Sequence, residues 1–156
     1  MEIDEEKFER LKEEVRKLYY SLGSVHCPYF GCKILFTSEG FQHLSHKGPS
    51  NKTTRTREDQ YVRLKLFKLA PKLLRESRVV QDIQEKNIFL PVVHNHRKEK
   101  ILKIIKYWEF WGIIDDKRIK VVVRKVGNGE LHYFSVIPKL KDKNSQLLKY
   151  VEDLED

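Results

Sequence analysis

Seven side chains between residues 104 and 137 combine groups that can move protons with groups that can bind phosphate and bases. They recur at alternating positions, so they are predicted to share one face of a β-sheet. A carboxylate can accept a proton, a guanidinium can bind two phosphate oxygens, and aromatic rings can stack on bases. We interpret the set as a working face, with the solvated face of an ordinary antiparallel sheet as the alternative. Its members are Tyr107, Glu109, Trp111, Lys120, Arg124, Tyr133 and Ser135.

Two turn signals, at 115–116 and 128–129, divide this segment into three antiparallel strands, roughly 104–114, 117–127 and 130–137. The second signal is Asn-Gly, which favours a type I′ turn because both central residues need a positive φ. A two-residue loop there places Arg124 opposite Tyr133 and Val122 opposite Ser135. A three-residue loop with a bulge would instead bring His132 to this face, in place of Tyr133 and Ser135. The opposite face is predicted to belong to the core through Trp108, Phe110, Ile119, Val121, Val123, Phe134 and Val136.

Histidines elsewhere in the chain could act as general acids or bases. His43 and His46 lie three residues apart on a predicted helix, so they share one of its faces. His96 lies in the densest polar cluster of the chain, His94–Arg97, at the end of a predicted strand, Ile88–Arg97, in which Pro91 marks an edge or a bulge. For each of these histidines, an ordinary surface position is the alternative.

The sequence predicts neither a metal site nor a cofactor. Cys27 and Cys32 have four residues between them, which fits half of a zinc site, but no second pair has ligand spacing. His26 and the distant histidines near residue 95 could complete such a site, whereas two thiols in a turn is the simpler interpretation.

Residues 47–57 form a polar segment with four basic side chains and no acidic one. This composition is typical of a mobile loop that binds phosphate, and it is equally typical of a disordered loop. Arg55 and Arg57 are the candidate phosphate ligands of this segment.

The order of the predicted elements indicates an α+β fold in a single domain. An amphipathic helix and a turn occupy residues 1–32, the core follows at 33–138, and a last helix lies within 139–156. We expect helices packed on one face of a curved antiparallel sheet of about four to five strands. The three-stranded meander forms the centre of that sheet.

The formal net charge of +8 is unevenly distributed. Residues 1–14 hold seven acidic and three basic side chains, and residues 152–156 hold four acidic ones, so the other 137 residues carry +16. Such a field favours a polyanionic partner, with nucleic acid as the leading candidate. A soluble basic domain that uses lysine for solubility is the alternative. The acidic N-terminus does not fit a secretory signal and no apolar run is long enough to span a membrane, so we expect a cytoplasmic protein.

Several motifs from Ile34 to Pro138 resemble one known group of proteins. The segment Ile34-Leu-Phe-Thr-Ser-Glu-Gly-Phe41 leads into His43-Leu-Ser-His46, a helical segment ending in Leu69-Ala-Pro71 follows, and the meander closes with Tyr133-Phe-Ser-Val-Ile-Pro138. This pattern resembles the barnase–EndoU–colicin–RelE superfamily of metal-independent ribonucleases, in particular its phage-associated branches. The resemblance covers residues 34–138, which would form the nuclease core.

The resemblance implies an endoribonuclease in which the ribose 2′-OH attacks the adjacent phosphate. It also implies the role of a toxin or of a phage or mobile-element effector, with an acidic inhibitor protein as its partner. That chemistry needs a base, an acid and a cation for the phosphate. The candidate catalytic residues are His43, His96, Glu109, Arg124 and Ser135. The candidate RNA-binding residues are Arg55, Arg57, Arg97, Tyr107, Trp111, Lys120 and Tyr133. The alternative is a module that binds RNA or DNA on the same face without cleaving it.

Overall fold

The computed structural model describes residues 3–139, and the predicted C-terminal helix lies outside them. Within that range the helices are α1 (Glu5–Leu22), α2 (Ser38–His43), α3 (Arg57–Phe67) and α4 (Ala70–Glu76). The strands are β1 (Ser24–Cys27), β2 (Cys32–Leu35), β3 (His46–Lys47), β4 (Thr53–Thr54), β5 (Asp82–His94), β6 (Arg97–Ile114), β7 (Lys117–Val126) and β8 (His132–Pro138). None of these four helices has both the length and the apolar composition that a membrane span requires.

Local capping explains where two of the helices begin. The Asp4 side chain accepts a hydrogen bond from the backbone N–H of Glu6 at the start of α1. The Thr56 side chain accepts one from the N–H of Asp59 at the start of α3. Both bonds satisfy an amide that has no partner within its helix. Gly23 ends α1 with a φ of 65°, a conformation that glycine adopts without a Cβ clash.

Six strands form one sheet in the order β1-β2-β8-β7-β6-β5, and β3 pairs with β4 separately. Every neighbouring pair in the large sheet is antiparallel except β2 and β8. The α+β prediction is therefore confirmed, with one or two strands more than expected. The meander of β6, β7 and β8 lies within this sheet, as the two turn signals indicated.

The hydrophobic core lies between one face of the sheet and the helices. Tyr19 of α1 and Phe67 of α3 contact each other there, with ring centroids 5.1 Å apart. Leu73 and Leu74 of α4 are buried in the same cluster. The prediction of a core face on the meander is confirmed for six of its seven residues, Trp108, Phe110, Ile119, Val121, Val123 and Val136.

A bulge in β8 changes the predicted pairing of the last two strands. Val122 pairs with Ser135, as a two-residue loop predicts, but the next residue, Val123, pairs with Tyr133. Phe134 is the extra residue at this bulge, and it packs on the face opposite the core. The prediction that Phe134 belongs to the core was therefore wrong, because an inserted residue reverses the alternation beyond it.

The same bulge corrects the prediction for Tyr133. Its side chain is fully buried in the core, where it stacks on Phe36, and does not share a face with Arg124. Arg124 pairs with His132 instead. The alternative with a bulge predicted that His132 would share a face with Arg124, and it does. Ser135, however, keeps Val122 as its partner, as the two-residue loop predicted.

The β5–β6 hairpin extends well beyond the rest of the sheet. Its two strands pair without interruption from Asp82 opposite Glu109 to His94 opposite Arg97, whereas β6 pairs with β7 only from Ile105 onward. Residues 87–104 therefore form a two-stranded projection, which we call the arm. Its tip is a two-residue turn at 95–96 with φ values of 50° and 64°, which is a type I′ turn. The sequence predicted a separate strand over 88–97 and a meander strand from about residue 104, not one long ribbon.

Candidate functional site

The site is centred on Arg124, whose cross-strand partners in β6 and β8 are Tyr107 and His132. Although Arg124 is charged, only 3% of its surface is exposed. Its Nε donates to Nε2 of His132 at 2.8 Å, and one terminal nitrogen donates to the backbone carbonyl of Pro49 at 2.8 Å. A buried cation requires such partners, because its desolvation is otherwise very unfavourable.

The carboxylate of Glu39 completes this arrangement from the first turn of α2. One of its oxygens lies 3.3 Å from the second terminal nitrogen of Arg124 and 3.7 Å from Nε2 of His132. The Glu39 side chain is 57% exposed, whereas that of Arg124 is almost completely buried. The three groups therefore form a carboxylate–guanidinium–imidazole trio with its carboxylate facing solvent.

The protonation of His132 follows from its two contacts. Because Nε2 accepts from Arg124, the ring proton of the neutral form lies on Nδ1, which donates to the carbonyl of Glu130 at 3.3 Å. Burial lowers the pKa of His132, and the positive charge of Arg124 lowers it further. His132 is therefore neutral at pH 7 in the free protein.

His43, the last residue of α2, packs on the ring of Phe134, which Arg124 also contacts. Its imidazole stacks on Phe134 with centroids 3.9 Å apart, and the guanidinium carbon of Arg124 lies 3.9 Å from that centroid. Nδ1 of His43 donates to the side-chain oxygen of Asn51 at 2.7 Å, and Nε2 accepts from Arg55 at 3.0 Å. Burial lowers the pKa of His43 to about 3. His43 is thus neutral, with both nitrogens bonded to the protein.

A second ionic network joins the 47–57 segment to α3 and β8. Asp59 accepts from Arg55 at 3.1 Å and from Arg63 at 2.7 Å. Burial opposes ionisation of Asp59, but the two arginines outweigh it and hold the pKa of that carboxyl below its ordinary value. Arg63 also donates to the hydroxyl of Ser135 at 3.1 Å and to the carbonyl of Val136 at 3.0 Å. Arg55 and Ser135 therefore both help to hold the site together.

An open cleft of about 330 Å³ lies over the trio. Glu39, Gln42, Asn51 and His132 line one part of it, and Leu90 of the arm lines another. The floor is the guanidinium of Arg124. The cleft therefore offers a buried cation, an exposed carboxylate and an imidazole to one bound group.

Other residues of the predicted working face extend it beyond the cleft. Glu109 lies on β6 two residues after Tyr107, so it is on the same face, opposite Val122. Its carboxylate is 3.4 Å from Nζ of Lys120. Tyr107 lies beside Phe134, with centroids 6.0 Å apart. Trp111 is 40% exposed. The structure thus confirms that these side chains share a face with Arg124, and it gives Glu109 an ion-pair partner.

Three predicted residues lie away from the cleft. His96 is in the turn at the tip of the arm and Arg97 directly follows it. At roughly 3.3 Å per residue, about ten residues of β6 put Arg97 some 30 Å from the row of Arg124. Arg57 lies beside α1, where its guanidinium carbon is 4.1 Å from the ring centroid of Phe8.

Glu39 and Asn51 were not among the candidate residues from the sequence, and His132 entered only through the alternative with a bulge. Glu39 follows the predicted start of a helix, so its place in the first turn could be predicted from the sequence. Its contact with Arg124 could not be predicted, because the two residues are 85 positions apart. His132 required the bulge in β8. Asn51 lies in a segment whose composition alone left a disordered loop open.

Comparisons with protein-family models, with curated proteins and with solved structures gave no significant match. Within residues 3–139, no three His, Cys, Asp or Glu side chains are grouped as a metal would require. Cys27 is buried and Cys32 exposed, and neither forms a disulfide.

Proposed function

We propose that this chain is an endoribonuclease that acts without a metal ion and that Glu39, Arg124 and His132 are its reactive groups. The observation that carries the proposal is their convergence, with Glu39 within 4 Å of both other side chains at the cleft. Cleavage of RNA by its own 2′-OH needs a base, a cation and an acid, and the trio offers one of each. The resemblance to the barnase–EndoU–colicin–RelE superfamily supports the same reaction.

In the proposed reaction, the carboxylate of Glu39 removes the proton from the ribose 2′-OH. The 2′-oxygen attacks phosphorus, the bond to the 5′-oxygen breaks, and that oxygen leaves with a proton from His132. The products are a 2′,3′-cyclic phosphate and a 5′-OH end, so neither water nor a redox partner takes part. Arg124 stabilises the charge on the phosphate oxygens as the new bond forms.

The two side chains suit these different roles because of their surroundings. Glu39 is half-exposed and reachable, whereas His132 is buried and neutral in the free protein. A bound phosphate diester adds a negative charge beside His132, which raises its pKa and favours the imidazolium that an acid requires. In the proposed reaction His132 takes this proton from solvent at Nε2, which then no longer accepts from Arg124 and donates to the leaving 5′-oxygen.

The charge distribution supports RNA as the partner. The 137 residues between the acidic ends carry a formal charge of +16, which attracts a polyanion. Tyr107 and Trp111 lie on the same face as Arg124 and could stack on bases next to the cleaved bond. We place this activity in the cytoplasm, and an acidic inhibitor protein would cover the basic face.

Cleavage of a synthetic RNA in EDTA tests the proposal. Wild-type protein is expected to cut the RNA and leave 2′,3′-cyclic phosphate ends, which mass spectrometry of the fragments identifies. A DNA of the same sequence is the matched control and should stay intact, because it lacks the 2′-OH. Cleavage of both would contradict the mechanism, as would RNA fragments that carry 5′-phosphates.

A second candidate function is RNA binding without cleavage. One observation favours it: both ring nitrogens of His43 and of His132 are already bonded to the protein. A neutral imidazole held in this way can stabilise a fold without moving a proton. RNA that binds with a steep salt dependence but is never cut would establish this function instead.

A further inference from the structure

One long edge of the large sheet has no neighbour within residues 3–139. β5 is the last strand in the sheet order, and it is 13 residues long. The type I′ turn makes His94 and Arg97 a hydrogen-bonded pair, and such pairs alternate along an antiparallel ladder. The backbone groups of residues 83, 85, 87, 89 and 93 therefore point away from β6. In agreement, the N–H of Ile83 donates to the Asp82 carboxylate and not to a strand.

Apolar side chains continue the core face of the sheet along this edge. Five of them lie exposed on that face, Ile83 opposite the buried Trp108 and the other four within the arm. We call them the apolar stripe, and their exposed fractions are 45% for Ile83, 65% for Phe89, 74% for Val93, 53% for Leu102 and 53% for Ile104. A two-stranded ribbon with such a surface is marginally stable in water, and a further strand is the usual remedy.

We propose that a second copy of this chain pairs with β5, so that the two β5 strands run antiparallel about a two-fold axis at Ile88. Asn87 then lies opposite Phe89 of the second copy, and Ile83 lies opposite Val93 of the second copy. Both contacts use the outward-pointing backbone groups. The two sheets become continuous, and the two apolar stripes lie side by side on one face.

The sequence of β5 is self-complementary in this register. Asp82, near its acidic start, lies opposite His94 of the second copy, at its other end. Pro91, which has no N–H to give, lies opposite Glu85 of the second copy and removes one hydrogen bond per strand. About ten interchain backbone hydrogen bonds remain. The two Phe89 rings approach diagonally, within the reach of aromatic side chains.

A cysteine at the axis gives the sharpest test, because Ile88 is the one residue of β5 that would lie directly opposite the same residue of the second copy. In this register its two Cα atoms are about 4.5 Å apart, which a disulfide can bridge. In full-length protein with Cys32→Ser, Ile88→Cys is expected to form a disulfide-linked dimer on mild oxidation. Lys86→Cys is the matched control, since it lies on the same strand and face, is more exposed, and is separated from its symmetry mate by four residues of strand.

Equal cross-linking of the two variants, or none with Ile88→Cys, would overturn the proposal. Sedimentation velocity provides an independent measurement: wild-type protein should form a dimer, and Phe89→Asp should weaken that dimer at least tenfold. Phe89 is exposed, so circular dichroism should find this variant folded. If wild type stays monomeric and Phe89→Asp weakens only RNA binding, the arm is an RNA-binding surface and the proposal is wrong.

Discussion

Ile104 and Ile105 are neighbours on β6, yet Ile105 is fully buried and Ile104 is half-exposed. Ile105 lies where β7 begins to pair with β6, on the face that carries Arg124. Ile104 lies one residue further into the arm, on the face that the helices no longer cover. The body of the sheet and the arm thus meet at this dipeptide. The same type of side chain is buried in the body and half-exposed in the arm.

An arginine and a histidine occur in both places, and they differ in burial in the same way. In the body, Arg124 and His132 are buried and bonded to each other, and their charges and tautomers follow from fixed neighbours. At the tip of the arm, His96 and Arg97 are exposed. The residue types are alike, so the presence of a third strand and of α2 decides which cluster becomes an organised site.

The largest expected effect is the loss of Arg124. Arg124→Ala should lower the free energy of unfolding by about 3–4 kcal/mol, because it leaves the Pro49 carbonyl and the His132 ring without their donor. Urea denaturation followed by circular dichroism measures the change. Lys125→Ala, the next residue on β7, is the control and should change stability by less than about 0.5 kcal/mol. Equal effects would show that the buried network does not stabilise the body.

A pair of neighbouring substitutions tests the boundary between the body and the arm. Ile105→Ala should cost about 2–4 kcal/mol, since it removes buried methylene groups and leaves a cavity. Ile104→Ala should cost less than about 1 kcal/mol, because its side chain is already half in water. Thermal and urea unfolding of both variants would measure the difference. A larger effect at Ile104 would mean that the arm is covered in solution.

The smallest effect, counted per pH unit, is expected in the pH dependence of stability. The pKa of His43 is lowered to about 3 in the folded protein, below its ordinary value of 6.5. The unfolded chain therefore binds a proton more readily, and the contribution of His43 to stability is lost as the pH falls from about 6.5 toward 3. The slope from this one residue is at most about 1.4 kcal/mol per pH unit.

The pH effect is measured by comparing His43, the last residue of α2, with His46, which the sequence placed on the same helix but which lies in β3. His43→Gln should flatten the decline in unfolding free energy between pH 6.5 and 4, and His46→Gln is the control for the substitution itself. An identical slope in all three proteins would show that His43 does not stay neutral in the folded state.

The meander could be predicted from the sequence because its signals are local. Asn128–Gly129 marks a turn, and alternating β-branched residues such as Val121 and Val123 mark the face that packs on the helices. A bulge was one of two alternatives from the sequence, but its position at Phe134 could not be predicted, because an inserted residue there depends on the packing of His43 and Arg124 around that ring. One such residue was sufficient to exchange Tyr133 for His132 at the site.

The arm and the trio were missed for a different reason. Pro91 indicated an edge or a bulge, and β5 is the edge strand, but the proline gave no sign that this strand pairs without interruption up to His94. Glu39 and Arg124 are brought together only when α2 packs beside β8, a contact that no spacing in the sequence announces. The predicted sheet face exists, but the carboxylate that contacts the Arg124 guanidinium is that of Glu39, which belongs to α2.

The most direct test compares two carboxylates, Glu39 in the cleft and Glu109 on the sheet face that the sequence favoured. Cleavage of RNA in EDTA should fall about 100-fold or more in Glu39→Gln, because a general base is worth on the order of 100- to 10,000-fold. Glu109→Gln should keep most of the wild-type rate. The opposite result, with activity lost only in Glu109→Gln, would contradict the assignment of the site to Glu39, Arg124 and His132.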